Sequence, residues 1–133
     1  MQALDTNVLA RHLLGDDATQ SDLATHLLES APALLLPITV VLELAWLLRA
    51  KGIERGAIAA ALRGIAGLPN LQVQHEHALS SALAFYEDGL EFADALHLAM
   101  AGEGGAQTLV TFDRGFLKAA KRVDGSVAVR ELR

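Results

Sequence analysis

The sequence predicts an α/β protein with a mainly parallel sheet flanked by helices, and three observations lead there. Short apolar runs such as 33–36, 71–73 and 108–110 are too brief for helices and are bounded by turn residues. Longer segments with apolar residues at helical spacing separate them. The run 33–36 lacks apolar–polar alternation, as strands covered on both faces do. A chain of 133 residues, 52% apolar and 20% charged, can bury a core, and one domain over 1–133 is expected.

Taken in order, Gln2–Leu4 reads as a first strand, and Asp5-Thr6-Asn7 opens a helix that Gly15 stops after Leu14. Ala18–Ser30 is a second helix with Leu23, Leu27 and Leu28 on one face, and Ala33–Leu36 is the second strand. Ile38–Ala50 and Glu54–Ala66 are helices closed by Gly52 and Gly67. Leu71–Val73 is the third strand. Helices at Glu76–Tyr86 and Phe92–Ala101 are split by Glu87-Asp88-Gly89. Thr108–Val110 is a continuous apolar strand, Arg114–Arg122 a helix and Val127–Val129 an edge strand.

Composition excludes several classes. The absence of cysteine removes disulfide scaffolds and thiolate metal sites, and fits a reducing, cytoplasmic setting. Eleven Lys and Arg against sixteen Asp and Glu give a net charge of −5, the wrong sign for a protein that coats nucleic acid along its whole surface. No basic region precedes an apolar run at the N-terminus. The apolar stretch 31–48 is long enough to raise the question of a membrane span. Pro32 and Pro37 interrupt it and Glu43 lies inside it, so it reads as a buried strand and a buried helix, and no membrane association is expected.

Four acids stand out. Asp5 follows the first strand and Asp113 follows 109–112, the strand ends where α/β folds bind ligands, although Asp is also a favoured helix N-cap. Glu43 interrupts a helix apolar on nearly every face, so it either pairs with a cation such as Arg11 or Arg49 or ligates an ion. Asp94 interrupts the apolar run 92–100, where a helix dipole or a ligand role would account for it. Clustered carboxylates raise one another's pKa or bind a cation, and an all-oxygen set selects Mg²⁺ or Mn²⁺. Such an ion suits phosphoester hydrolysis.

At these residues the chain resembles the PIN-domain ribonucleases, and among them the VapC toxins of toxin–antitoxin pairs. Leu4-Asp5-Thr6-Asn7-Val8-Leu9, Glu43 in its apolar helix, Phe92-Ala93-Asp94-Ala95-Leu96-His97-Leu98-Ala99 and Leu109-Val110-Thr111-Phe112-Asp113 carry the resemblance. It implies a three-layer α/β domain with Asp5, Glu43, Asp94 and Asp113 as catalytic acids around one or two Mg²⁺ or Mn²⁺ ions. It also implies endonucleolytic RNA cleavage by a metal-activated water, a homodimer and a cognate VapB-like antitoxin. Asn7 and Thr111 match supporting positions. Glu91, three residues before Asp94, is a peripheral ligand or a solvated acid.

RNA contacts are expected from Arg114, Lys118, Lys121 and Arg122, which recur at helical spacing after Asp113. A solvated basic helix face is the plainer alternative. Trp46 is core or part of a partner groove, and His97 is three residues from Asp94. His12 reads as a helix-surface residue. Two rivals stand beside the nuclease. One is another Mg²⁺-dependent phosphoesterase, disfavoured because Asn7 stands where a haloacid-dehalogenase-like phosphatase needs its second Asp. The other is a PIN-like binding domain without activity.

Overall fold

The computed structural model describes residues 1–133, and the chain forms two compact units, Met1–His75 and Glu76–Arg133. The first runs β1 (Gln2–Ala3), α1 (Thr6–Leu14), α2 (Ala18–Ser30), β2 (Leu34–Leu36), α3 (Ile38–Ala50), α4 (Arg55–Ala66), β3 (Leu71–Val73). Its three strands pair in parallel in the order β1-β2-β3, with Gln2 opposite Leu34 and Leu36 opposite Val73. β2 is central, and Leu34 and Leu36 are buried as an apolar middle strand requires. Leu9, Val41, Leu44, Leu48 and Ile58 complete this core, each large side chain contributing roughly 1.5–3 kcal/mol by burial.

Local chemistry sets the boundaries. Gly15 ends α1 in the left-handed region at φ 63°, where its N–H reaches the Arg11 carbonyl. Asp17 caps α2 by accepting from the Gln20 N–H at 3.0 Å. Pro37 closes β2 and starts α3, which is why the apolar stretch divides there, and no helix is long and apolar enough to cross a membrane. Asn70 donates from Nδ2 to the carbonyls of Leu28 and Ala31, both at 2.9 Å, tying the end of α2 to the start of β3. His12, expected at the surface, is half-buried, its Nδ1 2.7 Å from the Thr25 hydroxyl.

The second unit runs α5 (Glu76–Glu87), α6 (Phe92–Glu103), β4 (Thr108–Thr111), α7 (Arg114–Ala120), β5 (Ala128–Glu131). α5 and α6 form a hairpin turned at Gly89, whose φ of 118° no L side chain adopts without strain. Ala82 and Ala95 are fully buried, with Leu79, Leu90 and Leu98 among the core around them. Tyr86 and Phe92 meet edge to face at 5.6 Å. β4 and β5 pair in parallel with Thr111 opposite Glu131.

The α/β class and the parallel pairing are thus as predicted, with the strands hydrogen-bonded in a group of three and a group of two. Three expectations of burial are corrected. α3 is not buried all round: Val41, Leu44, Ala45 and Leu48 face inward, while Thr39, Glu43, Trp46 and Ala50 form an exposed stripe, because one stripe suffices to pack a helix. α2 buries Ala24 and Leu28 but leaves Leu23 67% exposed. β4 alternates, with Leu109 and Thr111 half-buried and Thr108 and Val110 exposed.

Candidate active site

In the first unit, Asp5 stands directly beyond β1 and caps α1, its Oδ1 accepting the Thr6 N–H at 2.8 Å. The carboxylate is exposed and Oδ2 is left for another partner. Beside it, Thr6 is 3% exposed and its hydroxyl finds no hydrogen-bond partner. Asn7 is exposed and borders an apolar groove with Val8, Leu23 and Leu27. Glu43 lies on the exposed stripe of α3, one turn before Trp46. The burial argument for its role therefore fails, and an Arg11 bridge fails too. Arg11 is held by Asp16 at 2.9 Å and by Gln20 at 2.7 Å, and this pairing keeps Asp16 below its ordinary pKa.

In the second unit, Asp113 stands beyond β4 and caps α7, with Oδ1 accepting the Phe116 N–H at 3.1 Å. Its own N–H donates to Thr111 Oγ1 at 3.0 Å, so Thr111 fixes the turn that presents the acid. Asp94 is half-buried in the first turn of α6. Burial pushes its carboxyl pKa up, the charge of Asp113 pushes it further, His97 opposes, and Glu91 adds a smaller upward push. Asp94 and Asp113 are thus brought into one electrostatic neighbourhood, with Glu91 and His97 at its edge. Glu91 is the N-cap residue of α6, without a capping bond from its side chain, and is exposed. Within each unit taken alone, no three acidic or histidine side chains are grouped to hold a metal ion.

The basic residues divide. Arg114, Lys118 and Lys121 line one groove with Arg130, Glu131 and Arg133. α7 ends at Ala120, so Arg122 leaves the helical register and its guanidinium lies against Gly89 instead. Arg130, Glu131 and Arg133 are absent from the expected set. The available signal was an acid flanked by arginines at the end of the last strand, Arg130-Glu131-Leu132-Arg133.

Parallel strands, acids seated just past β1 and β4, and an Asp94 whose pKa the charge of Asp113 helps to raise define an α/β protein with carboxylates at its strand ends. The chain belongs to the PIN domain family, whose model matches residues 3–122. Among solved structures it is similar to VapC20 of Mycobacterium tuberculosis, a sarcin–ricin loop cleaving toxin. That similarity is 24% sequence identity over 90% of this chain and 95% of that one, with a TM-score of 0.44. No curated protein matches the sequence.

Proposed function

We propose that the chain is a Mg²⁺- or Mn²⁺-dependent endoribonuclease of the VapC toxin type, with Asp5, Glu43, Asp94 and Asp113 as its working acids. Membership of the PIN family and one physical observation support the reading: Asp94 is half-buried, and the charge of Asp113 adds to the burial that pushes its carboxyl pKa up, with His97 opposing. Like charges held together in a folded protein raise its free energy unless one of them is protonated or a cation joins them. The donors are carboxylate oxygens and the chain has no cysteine, a set that suits a hard divalent ion.

When bound, the ion would supply Lewis acidity at the phosphodiester and lower the pKa of the attacking water. Asp5, Asp94 and Asp113 would hold it in this reading. Glu43 either joins them or orients the water whose oxygen attacks phosphorus as the bond to the ribose oxygen breaks. Thr111 holds Asp113 in its turn, Asn7 supports Asp5, and Glu91 is peripheral. A VapB-like antitoxin and a second copy of the chain are the partners this reading expects.

The test is cleavage of a fluorescent structured RNA with Mn²⁺, with EDTA, and with Asp94→Asn. Cleavage only by the unaltered chain with metal is expected. Cleavage that survives EDTA, or survives Asp94→Asn in rigorously purified protein, would overturn it.

A further inference from the structure

We propose that Arg114, Glu131 and Arg133 form a clamp for the phosphate backbone of RNA, continued by Lys118 and Lys121 on α7 and by Arg130 on β5. The choice of RNA as the polyanion rests on the nuclease reading above; the clamp itself rests on geometry.

These six residues line an open groove of about 820 Å³. Five of the eleven Lys and Arg in a chain of net charge −5 are gathered there. The groove therefore presents a local field opposite in sign to that of the whole molecule, which is how an acidic protein can hold a polyanion. Its one acid does not cancel that field so much as arrange it. Glu131 Oε1 accepts from Arg114 Nε at 3.3 Å, and Oε2 lies 3.7 Å from Arg133 Nε.

Both guanidiniums are thus drawn to a single carboxylate through their inner nitrogens. Their outer nitrogens are left for a ligand, and the two arginine side chains are 88% and 85% exposed while Glu131 is 24% exposed. An ion pair this exposed contributes little to stability. A guanidinium that presents its outer edge, by contrast, is suited to two-point binding of a phosphate.

Position gives the clamp its relation to the chemistry. Glu131 stands opposite Thr111 in the parallel ladder, and Thr111 receives the N–H of Asp113. The clamp therefore lies at the carboxyl ends of β4 and β5, beside the acid proposed to work on the scissile phosphate. Lys118 follows Arg114 by one helical turn, and Lys121 continues the track past the end of α7. Arg122, against Gly89, is outside it.

The experiment is fluorescence anisotropy of a labelled RNA hairpin with the full chain in EDTA, so that binding is read without cleavage, across a series of salt concentrations. The double variant Arg114→Ala/Arg133→Ala should weaken binding at least about tenfold. It should also lower the slope of log affinity against log salt by roughly 1.4–1.8, two phosphate contacts in the loop or the stem of the hairpin. An unchanged slope would overturn the clamp.

Glu131→Ala is the sharper arm. Bulk electrostatics predicts tighter binding when an acid is removed, whereas loss of the arrangement predicts weaker binding, and tighter binding would overturn the proposal. A polyglutamate peptide that competes as well as RNA of equal charge would overturn the choice of RNA. The two readings fail separately. A chain inactive with Mn²⁺ whose RNA affinity still depends on the arginine pair keeps the clamp and loses the nuclease. An active chain indifferent to that pair does the reverse.

Discussion

Asp113 performs a structural task that can be separated from its proposed catalytic one. Its Oδ1 accepts the Phe116 N–H at 3.1 Å as the N-cap of α7. Asparagine offers the same oxygen and caps about as well, while alanine offers nothing, a loss of about 0.5–2 kcal/mol. For a domain of this size each kcal/mol moves the melting temperature by about 3–5 °C. Asp113→Ala should therefore melt a few degrees lower. Asp113→Asn should melt at or above the parent, because it keeps the cap and removes a charge that burdens Asp94. Metal-dependent RNA cleavage should fall at least about 100-fold in both, the loss of several kcal/mol of charge stabilisation. Thermal melting by circular dichroism with a fluorescent-RNA cleavage assay reads both quantities. An Asn variant that cleaves normally, or that melts as low as the Ala variant, would refute the division into cap and ligand.

Asp94→Asn should raise the melting temperature at neutral pH without metal. The folded pKa of Asp94 lies above its unfolded value, so the ionised side chain opposes folding above that folded pKa, and the opposition fades as pH falls through it. The gain should shrink on acidification in a melting series from neutral into the carboxylate range; a gain that grows would contradict the assignment. Thr6→Val removes a buried hydroxyl that finds no partner, and should be neutral or stabilising by up to about 1–3 kcal/mol in urea unfolding. A loss of more than about 1 kcal/mol would mean the hydroxyl is satisfied. Trp46, 72% exposed, should cost less than about 1 kcal/mol on truncation to alanine, where a core tryptophan would cost 3–5. Its fluorescence should be readily quenched by acrylamide, and a shielded indole would place it in an interface.

Element order and most boundaries were legible because punctuation is local. Gly15, Pro37 and Gly89 act through their own backbone preferences, and a residue that forces a turn does so whatever packs around it. Burial was less legible. The run 38–48 is apolar enough to read as covered on every side, yet α3 needs only one stripe for packing and shows Glu43 and Trp46 to solvent. Leu23 misled for the same reason, since periodicity names a face but not its width. At the candidate site, Asp5 and Asp113 were legible from their place after strands. The pairing of Glu131 with Arg114 was not, because it joins residues seventeen apart through the β4–β5 ladder and no local pattern encodes it. The basic face was half legible for a related cause: α7 stops at Ala120, so helical spacing was carried two residues too far and included Arg122.

Sequence reasoning set capping against ligation for Asp5 and Asp113, and the structure removes the opposition. Each cap occupies Oδ1 with one backbone N–H, whereas an ionised carboxylate offers about four lone-pair sites. The bond engages Oδ1 and leaves Oδ2 unspent. A residue at the end of a parallel strand is thus placed and oriented by the same short segment that starts the next helix. Asp94 lacks such a cap and is pushed toward its protonated form by burial and by Asp113. Its charge is one the fold alone does not support, and a bound cation would relieve it.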